Sequence, residues 1–173
     1  MTKLPTQLDI DFDIKPNSSK VVKGDLIKLA RQGEFDVIVH GCNCFHTMGA
    51  GIAVQIARQY PEVAMEDKIF SKLGDHRKLG NFTRCVVSGE GDHTFTVVNA
   101  YTQFGTGSGK QVEYMAIRAA FKAIAREFDH DVRIGYPQIG AGLAGGDWKI
   151  ISEIINTELN CHNHTLVMYD PTA

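Results

Sequence analysis

Two glycine-rich segments of this 173-residue chain, residues 49–52 and 140–146, each stand between a buried-looking apolar run and the start of an amphipathic run. In a strand–turn–helix of this kind the first backbone N–H groups have no helical partner, and the helix dipole adds about half a positive charge. Such a turn can hold an anion without a lysine. Both turns should meet at the carboxyl edge of a parallel sheet, and two adjacent phosphate-sized cradles predict a diphosphate ligand. Tight strand–helix packing is the competing explanation for either cluster alone.

The composition limits the kinds of protein that this chain can be. It has 18 basic and 20 acidic side chains, a formal charge of −2 and 43% hydrophobic residues, which fit one globular domain without a basic face for nucleic acid. No run approaches the ~20 apolar residues of a membrane span, and the start of the chain lacks an apolar signal core. We expect a cytoplasmic protein, monomeric, without membrane contact and with its four cysteines unpaired.

Hydrophobic periodicity predicts the elements that carry these turns. The predicted helices are 26–31, 51–60, 62–72, 111–128 and 147–159, with Met115, Ile117, Ala120, Phe121 and Ile124 as the buried stripe of the longest. The predicted strands are 8–14, 21–24, 35–42, 81–87, 94–100, 132–136 and 164–169. Strands and helices mostly alternate, which predicts an α/β fold, a three-layer α/β/α sandwich with a mixed, mostly parallel sheet and helices on both faces. Residues 1–19 form an N-terminal extension with a candidate edge strand, and residues 20–173 form the domain.

Four segments together resemble the signature segments of the macro domains, and they occur in the family's order. They are Val22-Lys23-Gly24-Asp25-Leu26, then Asn43 with Met48-Gly49-Ala50-Gly51-Ile52-Ala53, then Asn99-Ala100-Tyr101-Thr102-Gln103, and Ile139-Gly140-Ala141-Gly142-Leu143 with Trp148. The resemblance covers roughly residues 20–170 and implies the macro domain fold with ADP-ribose as the ligand. Cys42-Asn43-Cys44 and Gly145-Gly146-Asp147-Trp148 are similar to the branch that processes ADP-ribose 1″-phosphate.

The resemblance also implies roles for particular residues. Asp25 would accept a hydrogen bond from the adenine amino group, or cap a helix, or do both. Asn43 would hold the distal ribose, and Tyr169 would stack near adenine unless it is a core residue. The glycine turns would wrap the two phosphates with backbone N–H groups. The implied ADP-ribose contacts are Gly24, Asp25, Leu26, Gly41, Cys42, Asn43, Met48, Gly49, Ala50, Gly51, Ile52, Gln138, Ile139, Gly140, Ala141, Gly142, Leu143, Ala144 and Tyr169.

For a reaction, the resemblance favours a phosphatase that converts ADP-ribose 1″-phosphate to ADP-ribose and phosphate. His40 has a side chain whose ordinary pKa near 6.5 suits acid and base roles, and Asp147 would assist it. Asn43 and Asn99 would hold the ribose, which completes a predicted catalytic set of four residues. A hydrogen-bonded core histidine and a plain helix N-cap are the competing interpretations of His40 and Asp147.

Two further functions stay open. A mono-ADP-ribosyl hydrolase would remove ADP-ribose from a modified protein or nucleic acid, and a non-catalytic reader would only bind it. A related branch uses a loop lysine and a loop aspartate for removal. Here Ala144 stands at the aspartate position and Lys110 lies elsewhere, which leaves a water attack assisted by the substrate.

The remaining motifs carry no chemistry. Phe104 and Gln111 break a Walker A motif at residues 104–111, so the third glycine cluster, residues 105–109, is predicted to be a flexible loop beside the site. None of the usual zinc spacings is present, and we expect neither a metal nor a cofactor.

Overall fold

Six strands form one sheet in the computed structural model, which describes residues 19–173. They are β1 (Lys20–Gly24), β2 (Val37–Asn43), β3 (Phe82–Ser88), β4 (Thr94–Gln103), β5 (Ile134–Tyr136) and β6 (His164–Tyr169). Their order across the sheet is β1-β6-β5-β2-β4-β3. All neighbouring pairs are parallel except the β3–β4 hairpin, so five strands end at the same edge.

Helices cover both faces of this sheet. They are α1 (Leu26–Arg31), α2 (Gly51–Gln59), α3 (Pro61–Phe70), α4 (Tyr114–Glu127) and α5 (Trp148–Glu158), with a short 3-10 turn at His76–Lys78. The alternation of side chains along β2 divides the core in two. Val37 and Val39 pack towards α4 and α5, whereas Ile38 packs towards α1, α2 and α3. The predicted three-layer α/β/α sandwich is confirmed.

The predicted elements from residue 20 onwards are all present, with ends that differ by a few residues. The long helix α4 buries Ile117, Ala120, Phe121 and Ile124, as the sequence predicts. Met115 was wrongly placed in that stripe, because it lies on the outer face of α4 and is 74% exposed. The predicted strand at 8–14 lies outside the described residues.

The carboxyl edge of the sheet is where the polar turns meet. Here β1 leads into α1, β2 leads towards α2, β4 leads towards α4 and β5 leads towards α5. Among residues 19–173, no helix is both long enough and apolar enough to cross a membrane. The four cysteines are free thiols.

Candidate functional site

A cavity of about 930 Å³ runs along the carboxyl ends of the five parallel strands. Its wall contains the ends of β1 and β6, the loop after β5, the loop after β2 and the end of β4. Every predicted ligand contact except Cys42 and Met48 lines this cavity. The lining is Gly24, Asp25, Leu26, Gly41, Asn43, Thr47, Gly49, Ala50, Gly51, Ile52, Ala53, Gln55, Thr102, Gln103, Thr106, Gly107, Gln111, Pro137, Gln138, Ile139, Gly140, Ala141, Gly142, Leu143, Ala144, Val167 and Tyr169.

The first glycine turn presents the start of α2 to the cavity. Gly51 has φ of 57°, a left-handed conformation that glycine adopts without steric cost, and it is the first residue of the helix. Ala50 is the N-cap residue and makes no side-chain hydrogen bond to the helix. The first N–H groups of α2 therefore stay available to a ligand in the cavity.

The second glycine turn is shaped by a valine that packs beneath it. Val112 is buried, and a Cβ placed on Gly140 or Gly146 would lie 2.7 Å or 2.6 Å from its methyl groups. The backbone N–H groups of Gln111 and Val112 donate to the carbonyl of Ala144 at 2.8 and 3.2 Å. Glycine at both positions is thus a packing requirement. The N–H group of Gly146 donates to the carbonyl of Gly140 at 2.8 Å, whereas that of Gly140 makes no hydrogen bond among residues 19–173.

The third glycine cluster lies beside the site, as predicted, and it also contributes to the wall. Thr106 and Gly107 line the cavity together with Gln111. Gln103, the last residue of β4, donates from Nε2 to the carbonyl of Gly105 at 2.7 Å, which holds the start of this loop against the strand. These wall residues are not among the ligand contacts predicted from the sequence.

One end of the cavity is formed by the paired ends of β1 and β6. Asp25 caps α1, because its Oδ1 accepts from the N–H groups of Ile27 and Lys28 at 2.9 and 3.1 Å. Tyr169 pairs in register with Gly24 and is 69% exposed, so it is not a core residue. A carboxylate and an exposed aromatic ring therefore stand side by side there.

Asn43 lines the middle of the cavity and also fixes the loop that follows β2. Its Oδ1 accepts from the N–H groups of Phe45 and Thr47 at 2.8 and 3.4 Å, and its Nδ2 donates to the carbonyl of Thr47 at 2.8 Å. An amide nitrogen has two N–H groups, so one is left for a ligand.

His40 and Asn99 face away from the cavity. They lie opposite each other on β2 and β4, and the Nε2–H of His40 donates to Oδ1 of Asn99 at 2.7 Å. Asn99 donates in turn to Oγ1 of Thr83 at 3.1 Å and to the carbonyl of Val63 in α3 at 3.2 Å. Burial lowers the pKa of His40 to about 4, so the ring is neutral near pH 7.

Strand parity explains this placement. Successive side chains of a strand point to opposite faces, and Gly41 and Asn43 have the parity that reaches the cavity. His40 and Cys42 share the other parity. Cys42 is buried, its Sγ lies 3.7 Å from Nδ1 of His40, and burial raises the pKa of its thiol. Met48 is half-buried against the helices of that face.

Asp147 is the N-cap residue of α5. Its Oδ1 accepts from the N–H group of Lys149 at 2.9 Å, and its side chain is exposed outside the cavity lining. The competing interpretation of this residue, a helix cap, is thus what the structure contains. Of the four predicted catalytic residues, the lining includes Asn43 alone.

A buried ion pair continues the hydrogen-bond network around His40. Nζ of Lys78 donates to Oδ1 of Asp67 at 2.6 Å, and the hydroxyl of Tyr101 donates to the same oxygen at 2.8 Å. The side chains of Lys78 and Asp67 are 0% and 2% exposed. This pair is not predictable from the sequence, because neither helical spacing nor strand parity relates a residue of α3 to the short turn that follows it.

The lining is almost free of ionisable groups. Asp25 and Tyr169 are the titratable side chains in it, and the rest of its polar side chains are amides and hydroxyls. Among residues 19–173 there is no group of three or more His, Cys, Asp or Glu side chains that could hold a metal ion. The site can bind an anion through backbone N–H groups, but the described residues of its wall include no histidine, lysine or cysteine for catalysis.

Comparisons with known proteins agree with this architecture. No protein-family model matches the chain. It is 35% identical over 156 residues to an uncharacterized 17.5 kDa protein of Enterobacteria phage T4. The aligned region covers 88% of this chain and 97% of that protein.

Three solved structures show the same fold. The macrodomain of Mycobacterium tuberculosis DarG has a TM-score of 0.64 at 21% identity, with 89% of this chain and 99% of that chain covered. A macrodomain protein from Streptomyces coelicolor has a TM-score of 0.56 at 25% identity, with 91% and 94% covered. Thermosipho africanus DarTG in complex with ADP-ribose has a TM-score of 0.66 at 17% identity, with 89% and 42% covered. The chain therefore belongs to the same family as the phage T4 protein, and its fold is that of the macro domains.

Proposed function

We propose that this chain binds ADP-ribose in the cavity at the carboxyl edge of the sheet. The observation that carries the proposal is that two glycine turns meet in one cavity, where the N–H groups of residues 51–53 and of Gly140, Gly142 and Leu143 donate no hydrogen bond among residues 19–173. The described residues of the wall include no lysine or arginine. A diphosphate is the anion that two such adjacent cradles fit. The similarity in fold to a DarTG structure in complex with ADP-ribose supports the same ligand.

The order of strands suggests how the ligand lies. The adenine would lie at the β1–β6 end, where the carboxylate of Asp25 can accept from its amino group and Tyr169 offers an aromatic face. The diphosphate would lie between the loops after β5 and β2. The distal ribose would then reach Asn43 and the end of β4.

The reaction is a separate and finer proposal. Hydrolysis of ADP-ribose 1″-phosphate through His40 and Asp147 gains no support from their positions, since neither lines the cavity. The described side chains of the wall near Asn43 and the end of β4 are neutral, which favours a different candidate, the removal of an ADP-ribosyl group by water that the substrate itself helps to activate. A reader of ADP-ribosylated macromolecules needs no catalytic group at all.

Titration calorimetry with ADP-ribose tests the binding proposal directly. We expect saturable heat with ADP-ribose and none with ribose 5-phosphate at the same concentration, because the latter lacks the adenine and the diphosphate. An absence of heat with ADP-ribose from folded protein would refute the proposal.

Parallel assays then separate the reactions. The wild type, His40→Gln and Asp147→Asn are incubated with ADP-ribose 1″-phosphate, with mono-ADP-ribosylated protein and with mono-ADP-ribosylated DNA. Release of phosphate that falls by orders of magnitude in Asp147→Asn, with ADP-ribose affinity retained, would support the phosphatase. Turnover of a modified macromolecule alone would support the hydrolase, and binding without turnover would support the reader.

A further inference from the structure

A buried hydroxyl in the cavity wall has no partner within the part of the chain that the structure describes. Thr102 lies near the end of β4, lines the cavity and is 1% exposed. Its Oγ1 is shielded from solvent and accepts or donates no hydrogen bond among residues 19–173. Buried polar side-chain atoms in native structures nearly always have a partner, so such a hydroxyl calls for a ligand or a bound water.

The residue opposite this hydroxyl is a glycine. A Cβ placed on Gly41 would lie 2.9 Å from Oγ1 of Thr102 and 3.1 Å from Cγ2 of Ile139. Because Gly41 and Ile139 also line the cavity, a side chain on Gly41 would fill the space beside the hydroxyl. Glycine at this position places no side chain of its own against the hydroxyl.

We propose that the Thr102 hydroxyl forms a hydrogen bond with the distal ribose of bound ADP-ribose and selects ligands that carry this sugar. The inference rests on the proposed function. Asp25 and Thr102 lie at the two ends of the run of five parallel strands, with the glycine turns between them. An adenine at Asp25 and a diphosphate in the turns therefore put the next group, the distal ribose, at β4.

The chemistry of this end of the cavity fits a sugar. A threonine hydroxyl can donate and accept, as each ribose hydroxyl can. The neighbouring side chains in the wall, Gln103 and Gln111, are neutral amides. A wall of neutral donors and acceptors suits a polyol better than a charged group.

A second buried threonine provides a matched control. Thr83 on β3 is 5% exposed and lies outside the cavity lining. Its Oγ1 is bonded to the hydroxyl of Tyr101 at 2.9 Å and to Nδ2 of Asn99 at 3.1 Å. A threonine-to-valine substitution keeps the shape of the side chain and removes its hydroxyl. The same substitution therefore removes a hydrogen-bonded hydroxyl at Thr83 and a hydroxyl without a hydrogen bond at Thr102.

The experiment combines calorimetry with ADP-ribose and with ADP, which lacks the distal ribose, and thermal unfolding without ligand. For Thr102→Val we expect roughly 3- to 10-fold weaker ADP-ribose binding, the value of one hydrogen bond, with ADP affinity unchanged and no fall in Tm. Thr102→Ser should keep the wild-type preference for ADP-ribose over ADP. Thr83→Val should lower Tm and leave that preference unchanged.

Each other outcome has a defined meaning. A wild type that binds no ADP-ribose refutes the proposed function itself. If the wild type binds, then an unchanged ADP-ribose affinity in Thr102→Val overturns the inference. An equal loss for ADP would also overturn it, because the hydroxyl would not meet the distal ribose. A fall in Tm like that of Thr83→Val would show that the hydroxyl is structural.

Discussion

Asp25 caps α1 and also lines the cavity, so an alanine substitution alone would not separate these two roles. Both hydrogen bonds that cap α1 end on Oδ1, at 2.9 and 3.1 Å, while the residue also lines the cavity. Serine is about as good an N-cap as aspartate, but it has no second oxygen for a ligand. Asp25→Ser should therefore keep the cap and remove the contact to adenine, whereas Asp25→Ala should remove both.

The two effects have different magnitudes. A hydrogen bond to a charged group contributes about 1.5–3 kcal/mol, so both variants should bind ADP-ribose roughly 10- to 150-fold more weakly. Loss of the cap costs about 0.5–2 kcal/mol, typically about 1. For a domain of this size 1 kcal/mol shifts Tm by about 2–4 °C, and this shift should be seen in Asp25→Ala but not in Asp25→Ser.

The assay is calorimetry with ADP-ribose and with its hypoxanthine analogue, in which the amino group is replaced by an oxo group. The wild type should discriminate between the two ligands. Asp25→Ser should discriminate far less, because it lacks the carboxylate that accepts a hydrogen bond from the amino group. Asp25→Ser with wild-type affinity and Tm would refute the adenine contact. Discrimination that survives in this variant would assign the reading of the amine to another residue.

Three further predictions concern the core and the second glycine turn. Because the pKa of His40 is lowered from 6.5 to about 4, the unfolded chain binds more protons between these values, and stability is lost as pH falls. Urea unfolding should show about 2 kcal/mol of such loss between about pH 7 and about pH 5, absent in His40→Gln. Lys78→Met leaves the carboxylate of Asp67 buried without its cation and should lower the free energy of unfolding by about 3–5 kcal/mol in the same assay. Gly140→Ala puts a methyl group 2.7 Å from the valine beneath it at φ of 73°, so it should lower both stability and ADP-ribose affinity. Gly142→Ala meets nothing within 4 Å and should fold normally, so a normal Tm for both variants would contradict the packing argument.

The sequence predicts the elements well because their hydrophobic periods are strong. The stripe of α4 and the apolar run of β6 are strictly local patterns, and both elements are found where expected. The same local reasoning fails at Met115, which is apolar but lies off the stripe. Apolar character alone therefore does not predict burial on a helix.

The sequence predicts which backbone segments line the candidate site, but not which side chains of a strand point into it, because that depends on strand parity. Contacts made by backbone, such as those of the glycine turns, follow from the chain order of strand, turn and helix. His40 illustrates the failure: its strand is predicted correctly, but His40 lies in the middle of β2 and its side chain points to the face opposite Gly41. Parity is readable from a sequence once one residue of the strand is known to face the cavity.

Contacts between distant segments are the part that no local pattern contains. Thr102 is marked as a site residue only by its unpartnered hydroxyl beside Gly41, which lies 61 positions earlier in the chain. The same holds for Val112, which packs beneath Gly140. These pairings depend on which strands become neighbours, and that is a property of the assembled sheet.

The second and third glycine clusters contact each other through their backbones. A Cβ on Gly145 would lie 3.3 Å from Cα of Lys110, and the segment around it is bonded to Ala144 through the N–H of Gln111 at 2.8 Å. The second glycine turn is thus held from the β4 side as well as from β5. Because free backbone N–H groups can hold an anion, the turn can bind a dianion in a chain of net charge −2 without a cationic side chain among the described residues of the cavity wall. We therefore expect affinity for a diphosphate to depend on backbone geometry, and selectivity to depend on the side chains at the two ends of the cavity.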